Sequence, residues 1–223
     1  NEVLNSKYKI SEDWEGTKFA GMDLAWNYAP KHSERTCRIT IKDYIANMLL
    51  RFGHKKPAKP QLSPHKHCEI SYGARVQYTH EEAASNPLNE EGVRRIQAIV
   101  GATLFYGRAV NNKLLVALNS IGTQQAAATE ATNDAVKQLL DYMATYPDDG
   151  IVYRASNMIL AAHSDAGFNN ETKGRSRAGA HIFLSEDDPI PAWNGPILTI
   201  AQIIKFVLTS AAEAEFGALF IAT

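Results

Sequence analysis

The sequence has little cysteine, no long apolar run and almost no net charge, and each scarcity excludes a class of protein. Two cysteines in 223 residues are too few for a disulfide framework, which favours a reducing compartment inside the cell. No apolar stretch approaches the roughly 20 residues that a membrane-spanning helix needs, so no membrane partner is expected. With a net charge of −1, the chain would have to meet a polyanion through local basic patches.

Common catalytic signatures are also missing, since neither a glycine-rich phosphate loop nor a nucleophile elbow occurs. His65, His67 and Cys68 lack the second pair of ligands that structural zinc takes, so a metal-free loop is expected there. The chain opens on Asn1 without a signal-peptide pattern and stops at Thr223 inside an apolar helical run. We therefore expect a fragment of a longer protein.

A hydrophobic content of 45% with 21% charged residues is typical of a globular chain, and its periodicity divides it into three blocks. In residues 1–53, alternation over Lys18–Trp26 and again over Cys37–Ile41 predicts a hairpin. A capping box at Thr40–Asp43 predicts a short helix that ends at Gly53.

Residues 54–149 are predicted to be a long connector followed by helices. Three apolar stripes at helical spacing follow Asn89, with a break at Asn111–Asn112 and a stop before Pro147. This block is therefore predicted to be a helical bundle.

Residues 150–223 change to the period of strands. Apolar runs predict strands at Met158–Ala162, Ala180–Leu184 and Ile197–Phe206, and Ser210 then opens a helix. The predicted fold class is α+β, because a hairpin, a set of helices and a strand meander follow one another without alternation.

Two carboxylates of the last block suggest a metal site. Asp165 stands where the first of these strands is expected to end, after His163, and Glu215 lies on the closing helix. Two-metal hydrolysis of a phosphodiester needs several carboxylates converging on hard cations. The alternative is structural, with Asp165 as a turn residue and His163 as a half-buried strand histidine.

Several segments, in order, resemble the Pol polyprotein of copia-type LTR retrotransposons. Ser164-Asp165-Ala166, the Arg175–Gly179 run and the Ser210–Phe216 run are similar to the opening of its ribonuclease H domain. Upstream, Trp14–Met22 and Asp43–Phe52 are similar to the part of its reverse transcriptase that follows the polymerase aspartates. Ile96–Val110 is similar to its thumb region.

This resemblance implies a reverse-transcriptase palm end in residues 1–53, a connector and helical thumb in 54–149, and the first half of a ribonuclease H-like domain in 150–223. It implies RNA-directed DNA synthesis with cleavage of RNA–DNA hybrids in the intact protein, located in the cytoplasm (in a virus-like particle) or the nucleus. Asp165 and Glu215 would hold Mg²⁺, or Mn²⁺. Glu215 is favoured over Glu213, and the other two carboxylates of the site would lie outside the chain.

Tyr146-Pro-Asp-Asp149 spells the polymerase signature but follows a helix and carries proline at its second position. A genuine signature occupies a tight hairpin between apolar strands. We therefore predict a helix-ending surface turn here, with the true motif upstream of Asn1, so this fragment is not expected to polymerise. As a fragment it is expected to bind nucleic acid at most.

The segment from Lys31 to Lys59 carries eight basic and two acidic residues, a local net charge of +6. Such a cluster can follow phosphates, with Trp26, Tyr28 and Tyr44 available for stacking, or it can be a solvated face. The predicted nucleic-acid contacts are Arg35, Arg38, Lys42, Lys55, Lys56, Lys173, Arg175 and Arg177.

The expected partners are an RNA–DNA hybrid or a template–primer duplex, together with the remainder of the polyprotein. The rival interpretation is a decayed or host-adopted remnant that acts as a non-catalytic binding or scaffold module.

Overall fold

The computed structural model describes residues 6–9, 12–66, 85–171 and 174–223. Within these ranges the chain forms five α-helices and two antiparallel sheets, so the predicted α+β class is confirmed. No helix in these ranges combines the length and the apolar character that crossing a bilayer requires.

The first sheet contains β1 (Lys18–Phe19), β2 (Met22–Asn27), β3 (Thr36–Thr40) and β4 (Ile151–Arg154), paired in that order. The prediction of one strand over Lys18–Trp26 is wrong, because the chain reverses at Ala20 and Gly21. Both residues have positive φ, 48° and 81°, as a two-residue hairpin turn requires. Alternation alone predicted a single strand because Ala20 fits the same apolar pattern.

Strand β4 was not predicted from the sequence. Its four residues pair with β3, with Ile151 opposite Ile39 and Arg154 opposite Thr36. This pairing crosses the predicted domain boundary between residues 149 and 150. The first strand of the third block therefore belongs to the same sheet as the strands of the first block.

Four helices form the main core, and the sequence predicted all of them. They are α1 (Tyr44–Arg51), α2 (Glu90–Ala109), α3 (Leu115–Gln124) and α4 (Glu130–Thr145). Their shared apolar faces are buried, including Ile45, Met48, Ile96, Ile99, Leu118, Leu139 and Leu140. The core thus joins the first sheet to the helical block.

The helix ends show which local signals were correct. Gly53 follows α1 with φ of 62°, and Asn111 and Pro147 follow α2 and α4 as predicted. The predicted capping box at Thr40–Asp43 is wrong, because Asp43 adopts a left-handed conformation and its side chain makes no cap hydrogen bond. The carboxylate that meets this turn is Asp23, which accepts from the Lys42 backbone N–H at 3.1 Å.

The second sheet contains β5 (Ile159–Glu171), β6 (Arg175–Ser185) and β7 (Pro196–Val207), paired in that order, and α5 (Ala211–Ala222) packs on it. Strand β5 does not end at His163–Asp165 as predicted. Its pairing with β6 continues through Gly167 to Glu171, so Asp165 lies inside the strand. The polar residues after Ala162 ended the apolar run without ending the strand.

Helix α5 begins as predicted, with the Ser210 hydroxyl accepting from the Glu213 backbone N–H at 3.1 Å. Ala214 and Ala218 are buried on its sheet side, where Ala218 packs with Ala178 and Ile204. The opposite side of α5 is also apolar but exposed.

Candidate functional site

Asp165 lies on the face of the second sheet that α5 does not cover. Its neighbour Ala166 and the residue opposite that neighbour, Ala178, both pack against α5. Because successive side chains of a strand point to opposite faces, Asp165 points away from the helix. It is exposed, and the residue opposite it on β6 is Gly179, which has no side chain.

Glu215 lies on α5 itself and is exposed, next to buried Ala214. Glu213 has a separate role, because its carboxylate accepts from the Thr209 backbone N–H and hydroxyl, each at 2.7 Å. These hydrogen bonds hold the pKa of the Glu213 carboxyl below its ordinary value. Glu213 therefore caps the start of the helix, while Glu215 takes no part in the cap.

The structure does not bring Asp165 and Glu215 together, since one lies on the open face of the sheet and the other on the helix that covers the opposite face. Within the part of the chain that the structure describes, no three metal-ligating side chains form a group that could hold an ion. These two carboxylates alone do not form a site for Mg²⁺ or Mn²⁺, which was expected only in the intact domain and stays a prediction. No catalytic step through a metal follows from it.

An aromatic cluster occupies the open face beside Asp165. His163 and His181 are opposite each other on β5 and β6. Trp193 stacks on His163 with centroids 4.5 Å apart and meets His181 at a tilt, with centroids 5.0 Å apart. Phe183 lies 5.6 Å from the same indole ring. His163 is half-buried on its strand, as the structural interpretation predicted. Trp193 was not identified from the sequence, because it lies in a loop without periodicity.

Arg177 was expected to contact phosphates, but it has a structural role. It is only 8% exposed, its Nε donates to Glu171 Oε1 at 2.6 Å, and its Nη1 donates to Asn119 Oδ1 on α3 at 2.8 Å. The guanidinium thus ties the second sheet to the helical block. Arg175 lies at the start of β6, and Lys173 falls outside the described residues.

The other predicted contacts are exposed but do not form one continuous cluster. Arg35 and Lys42 flank β3 at opposite ends, roughly 20 Å apart at the rise of an extended strand. Arg38 is engaged, because its Nη2 donates to the Asp148 carbonyl at 2.9 Å. Lys55 and Lys56 are exposed in the segment that follows α1.

The end of β2 and the loop that follows it combine exposed aromatic rings with positive charge. We call Trp26, Tyr28, Lys31 and Arg35 the hairpin surface. Trp26 and Tyr28 are stacked, with centroids 5.9 Å apart and planes 13° apart, and Tyr28 is 74% exposed. Arg35 Nε donates to the carbonyl of Ala29 at 2.9 Å, which places the guanidinium beside the residue that follows Tyr28. The surface therefore offers a ring face next to positive charge.

Tyr44, the third expected stacking residue, is not available. Its ring stacks on Tyr106 at 5.3 Å and its hydroxyl donates to the Ala102 carbonyl at 2.8 Å, so it joins α1 to α2.

The Tyr146–Asp149 segment is a turn after α4, as predicted. The Asp149 carboxylate accepts from Asn111 Nδ2 at 2.8 Å and from Lys113 Nζ at 2.9 Å. These bonds fasten the turn to the end of α2, which is a structural role. His67 and Cys68 of the zinc alternative lie outside the described residues.

Comparison of the chain with protein-family models, with curated proteins and with solved structures finds no match in any of the three. The functional argument therefore rests on the residues and their arrangement.

Proposed function

We propose that the chain binds nucleic acid through the hairpin surface, as part of a copia-type retrotransposon polymerase. The proposed partners are an RNA–DNA hybrid or a template–primer duplex, and the remainder of the polyprotein. The resemblance of the ordered motifs supports this proposal. The order of elements, a hairpin, a helical block, then a three-stranded meander and a helix, is compatible with it.

The observation that carries the proposal is the stacked, exposed pair Trp26–Tyr28 beside Lys31 and Arg35. A base can stack on the free face of Tyr28, because every base has a π-face and the contact needs no particular sequence. Lys31 pairs with Glu34 at 3.7 Å, but both side chains are exposed, and so weak a surface ion pair leaves the ammonium able to meet a phosphate. Trp26 is fixed by its Nε1 donating to the Gly16 carbonyl at 2.7 Å, which holds the stack in place.

The chain alone is proposed to bind without cleaving. In the intact protein the resemblance implies ribonuclease H activity to which Asp165 would contribute, but here Asp165 and Glu215 lie on opposite sides of the sheet. A binding role needs only the exposed rings and charges that the hairpin surface already presents.

Fluorescence anisotropy with a labelled RNA–DNA hybrid tests the binding role. Tyr28→Ala is expected to weaken binding by about 1 to 3 kcal/mol, the range of one base–aromatic stack. Tyr8→Ala is the matched control, because Tyr8 is 68% exposed and lies outside the hairpin surface. Equal affinities for the two variants would contradict the stacking role.

The salt dependence of the same binding tests the charges. Lys31→Gln is expected to reduce the slope of log K against log salt by about 0.9, the contribution of one phosphate contact. Lys205→Gln on β7 removes the same charge from an exposed site elsewhere and is expected to leave the slope unchanged. A slope near zero for the unmodified chain would exclude phosphate contacts altogether.

A cleavage assay on the hybrid with Mn²⁺ separates binding from catalysis. The unmodified chain and Asp165→Asn are expected to give the same background signal. Cleavage that disappears in Asp165→Asn would instead establish residual ribonuclease H activity and overturn the binding-only proposal.

The scaffold alternative has one specific observation in its favour. Helix α5 exposes Phe216, Leu219 and Phe220 on the side away from the sheet, with Phe220 82% exposed. Large apolar side chains that are exposed together on one side of a helix are typical of a surface that binds a partner. Failure to bind any nucleic acid, together with concentration-dependent self-association that Phe220→Ser abolishes, would favour the scaffold.

A further inference from the structure

We propose that a cleft between α1, α2 and α4 binds a small molecule that carries a phosphate group. The cleft has a volume of about 410 Å³ and is lined by His54, Arg95, Asn133, Val136, Lys137 and Leu140. This volume falls in the range of small-molecule sites. The site lies apart from the hairpin surface and does not depend on the proposed function.

The polar groups of the cleft come from three separate parts of the chain. His54 follows α1, Arg95 lies on α2, and Asn133 and Lys137 lie one turn apart on α4. The Arg95 guanidinium and the Lys137 ammonium are hydrogen-bond donors only, and the Asn133 amide can turn its NH₂ group towards an anion. Their convergence from different directions suits the tetrahedral set of oxygens on a phosphate.

Two of these donors are held in position by one carboxylate. Asp141 Oδ1 lies 2.7 Å from His54 Nε2, and Asp141 Oδ2 lies 3.2 Å from Lys137 Nζ. The His54 and Asp141 side chains are only 10% and 13% exposed. Both oxygens of Asp141 are thus occupied by His54 and Lys137, and the Lys137 ammonium keeps further N–H groups for a ligand.

Arg95 is fixed in a different way. Its Nη2 donates to the Phe52 carbonyl at 3.1 Å, close to the end of α1. The rest of the guanidinium fork stays available, and this planar group binds phosphate oxygens in pairs. The Arg95 side chain is therefore held in place by a backbone carbonyl, which leaves its charge available to a ligand.

The charge balance of the cleft favours an anion. Among the described residues, its lining contains Arg95 and Lys137 and no carboxylate, and Asp141, which pairs with Lys137, offsets one of the two charges. Val136 and Leu140, each only 1% exposed, form an apolar floor beneath these polar groups.

Titration with inorganic phosphate, followed by chemical shifts of the backbone amides, tests this site. Saturable shifts are expected around His54, Arg95 and Lys137. Arg95→Gln is expected to weaken binding about tenfold, the loss of one charge-assisted hydrogen bond. Arg94→Gln is the matched control, because Arg94 is the adjacent residue, is exposed and pairs with Glu90 outside the cleft.

Lys137→Gln provides a second variant that leaves the fold intact, because this side chain is 68% exposed. It is also expected to weaken phosphate binding, while Tyr28→Ala leaves it unchanged. Shifts that do not saturate, equal affinities for Arg94→Gln and Arg95→Gln, or tighter binding of acetate than of phosphate would each overturn the proposal. If the unmodified chain binds phosphate but does not bind the hybrid, the hairpin surface fails while this site stands.

Discussion

The side-chain amide of Asn194 pairs with the backbone of Arg154 in the manner of an additional strand residue. Asn194 Oδ1 accepts from the Arg154 N–H at 2.7 Å, and Asn194 Nδ2 donates to the Arg154 carbonyl at 2.9 Å. The same Nδ2 donates to the Leu184 carbonyl of β6 at 2.7 Å. One side chain therefore connects the last strand of the first sheet to the middle strand of the second.

Replacing Asn194 by alanine is expected to lower the free energy of unfolding by about 2 kcal/mol, because two carbonyls and the N–H groups of Arg154 and Gly195 lose their partner at once. Urea unfolding followed by circular dichroism measures this change. Asn157→Ala is the control, because Asn157 is exposed and bonds to Glu186 through its backbone N–H, which the substitution keeps. A loss no larger than that of the control would show that the bridge contributes nothing to stability.

Two glycines are expected to respond to alanine with opposite signs. A Cβ at Gly195 would lie 2.6 Å from Tyr153 Cδ1, and that ring is held by its hydroxyl donating to the Pro196 carbonyl at 2.8 Å. Gly195→Ala is therefore expected to destabilise the fold by about 1 to 3 kcal/mol through overpacking.

Gly101 offers the contrasting case, because it lies inside α2, is exposed, and a Cβ there would meet nothing within 4 Å. Gly101→Ala is expected to stabilise by about 0.5 to 1 kcal/mol, the helix preference of alanine over glycine. Thermal unfolding of both variants checks the pair. The same sign for both would contradict the packing described around Tyr153.

The alkaline limit of stability is expected to depend on Tyr106. Burial, with the carboxylates of Asp149 and Asp148 nearby, raises the pKa of Tyr106 to about 12. An unfolded tyrosine has a pKa of about 10. Because the folded pKa is the higher one, the folded state favours the neutral phenol. This contribution is fully present below pH 10 and is lost as the pH rises towards 12.

Urea unfolding at several pH values between 8 and 11 measures that loss. Tyr106→Phe is expected to be less stable than the unmodified chain at pH 8, because the hydrogen bond to the Asp149 carbonyl at 3.2 Å is gone. Its stability should then fall less steeply with pH. Parallel curves would assign the alkaline loss to the other tyrosines whose pKa burial raises, Tyr44, Tyr142 and Tyr153.

Features encoded by near neighbours could be predicted from the sequence. The apolar stripes of α2 and α4 and the cap at Ser210 depend on residues within one or two turns, and the structure has each of them. The turn at Ala20–Gly21 was missed because alanine rarely adopts positive φ. The predicted strand was too short because the second half of β5 is mostly polar or small residues and forms no apolar run.

The candidate sites depend on contacts between distant residues, which periodicity does not encode. Whether Asp165 can meet Glu215 depends on which face of the sheet α5 covers, and the strand pattern allows either face. The sequence predicted Arg177 to be an exposed loop cation, because nothing near it in sequence indicates its contacts with Glu171 and Asn119. The pairing of His54 with Asp141 joins residues 87 positions apart, so no local motif signals the cleft.

The pairing of β3 with β4 has a consequence for the order of folding. Strands β1 to β3 are close in sequence, and hairpins of this kind form within microseconds. Strand β4 returns only after roughly 110 residues of intervening chain, whose closure carries a large entropy cost unless the helices have already collapsed. The β1–β3 hairpins can therefore form early. Strand β4 pairs with β3 late, after α4 has folded and brought it to the sheet. A ribosome releasing this chain would hold an incomplete sheet, with β3 as its open edge, until the whole helical block had emerged.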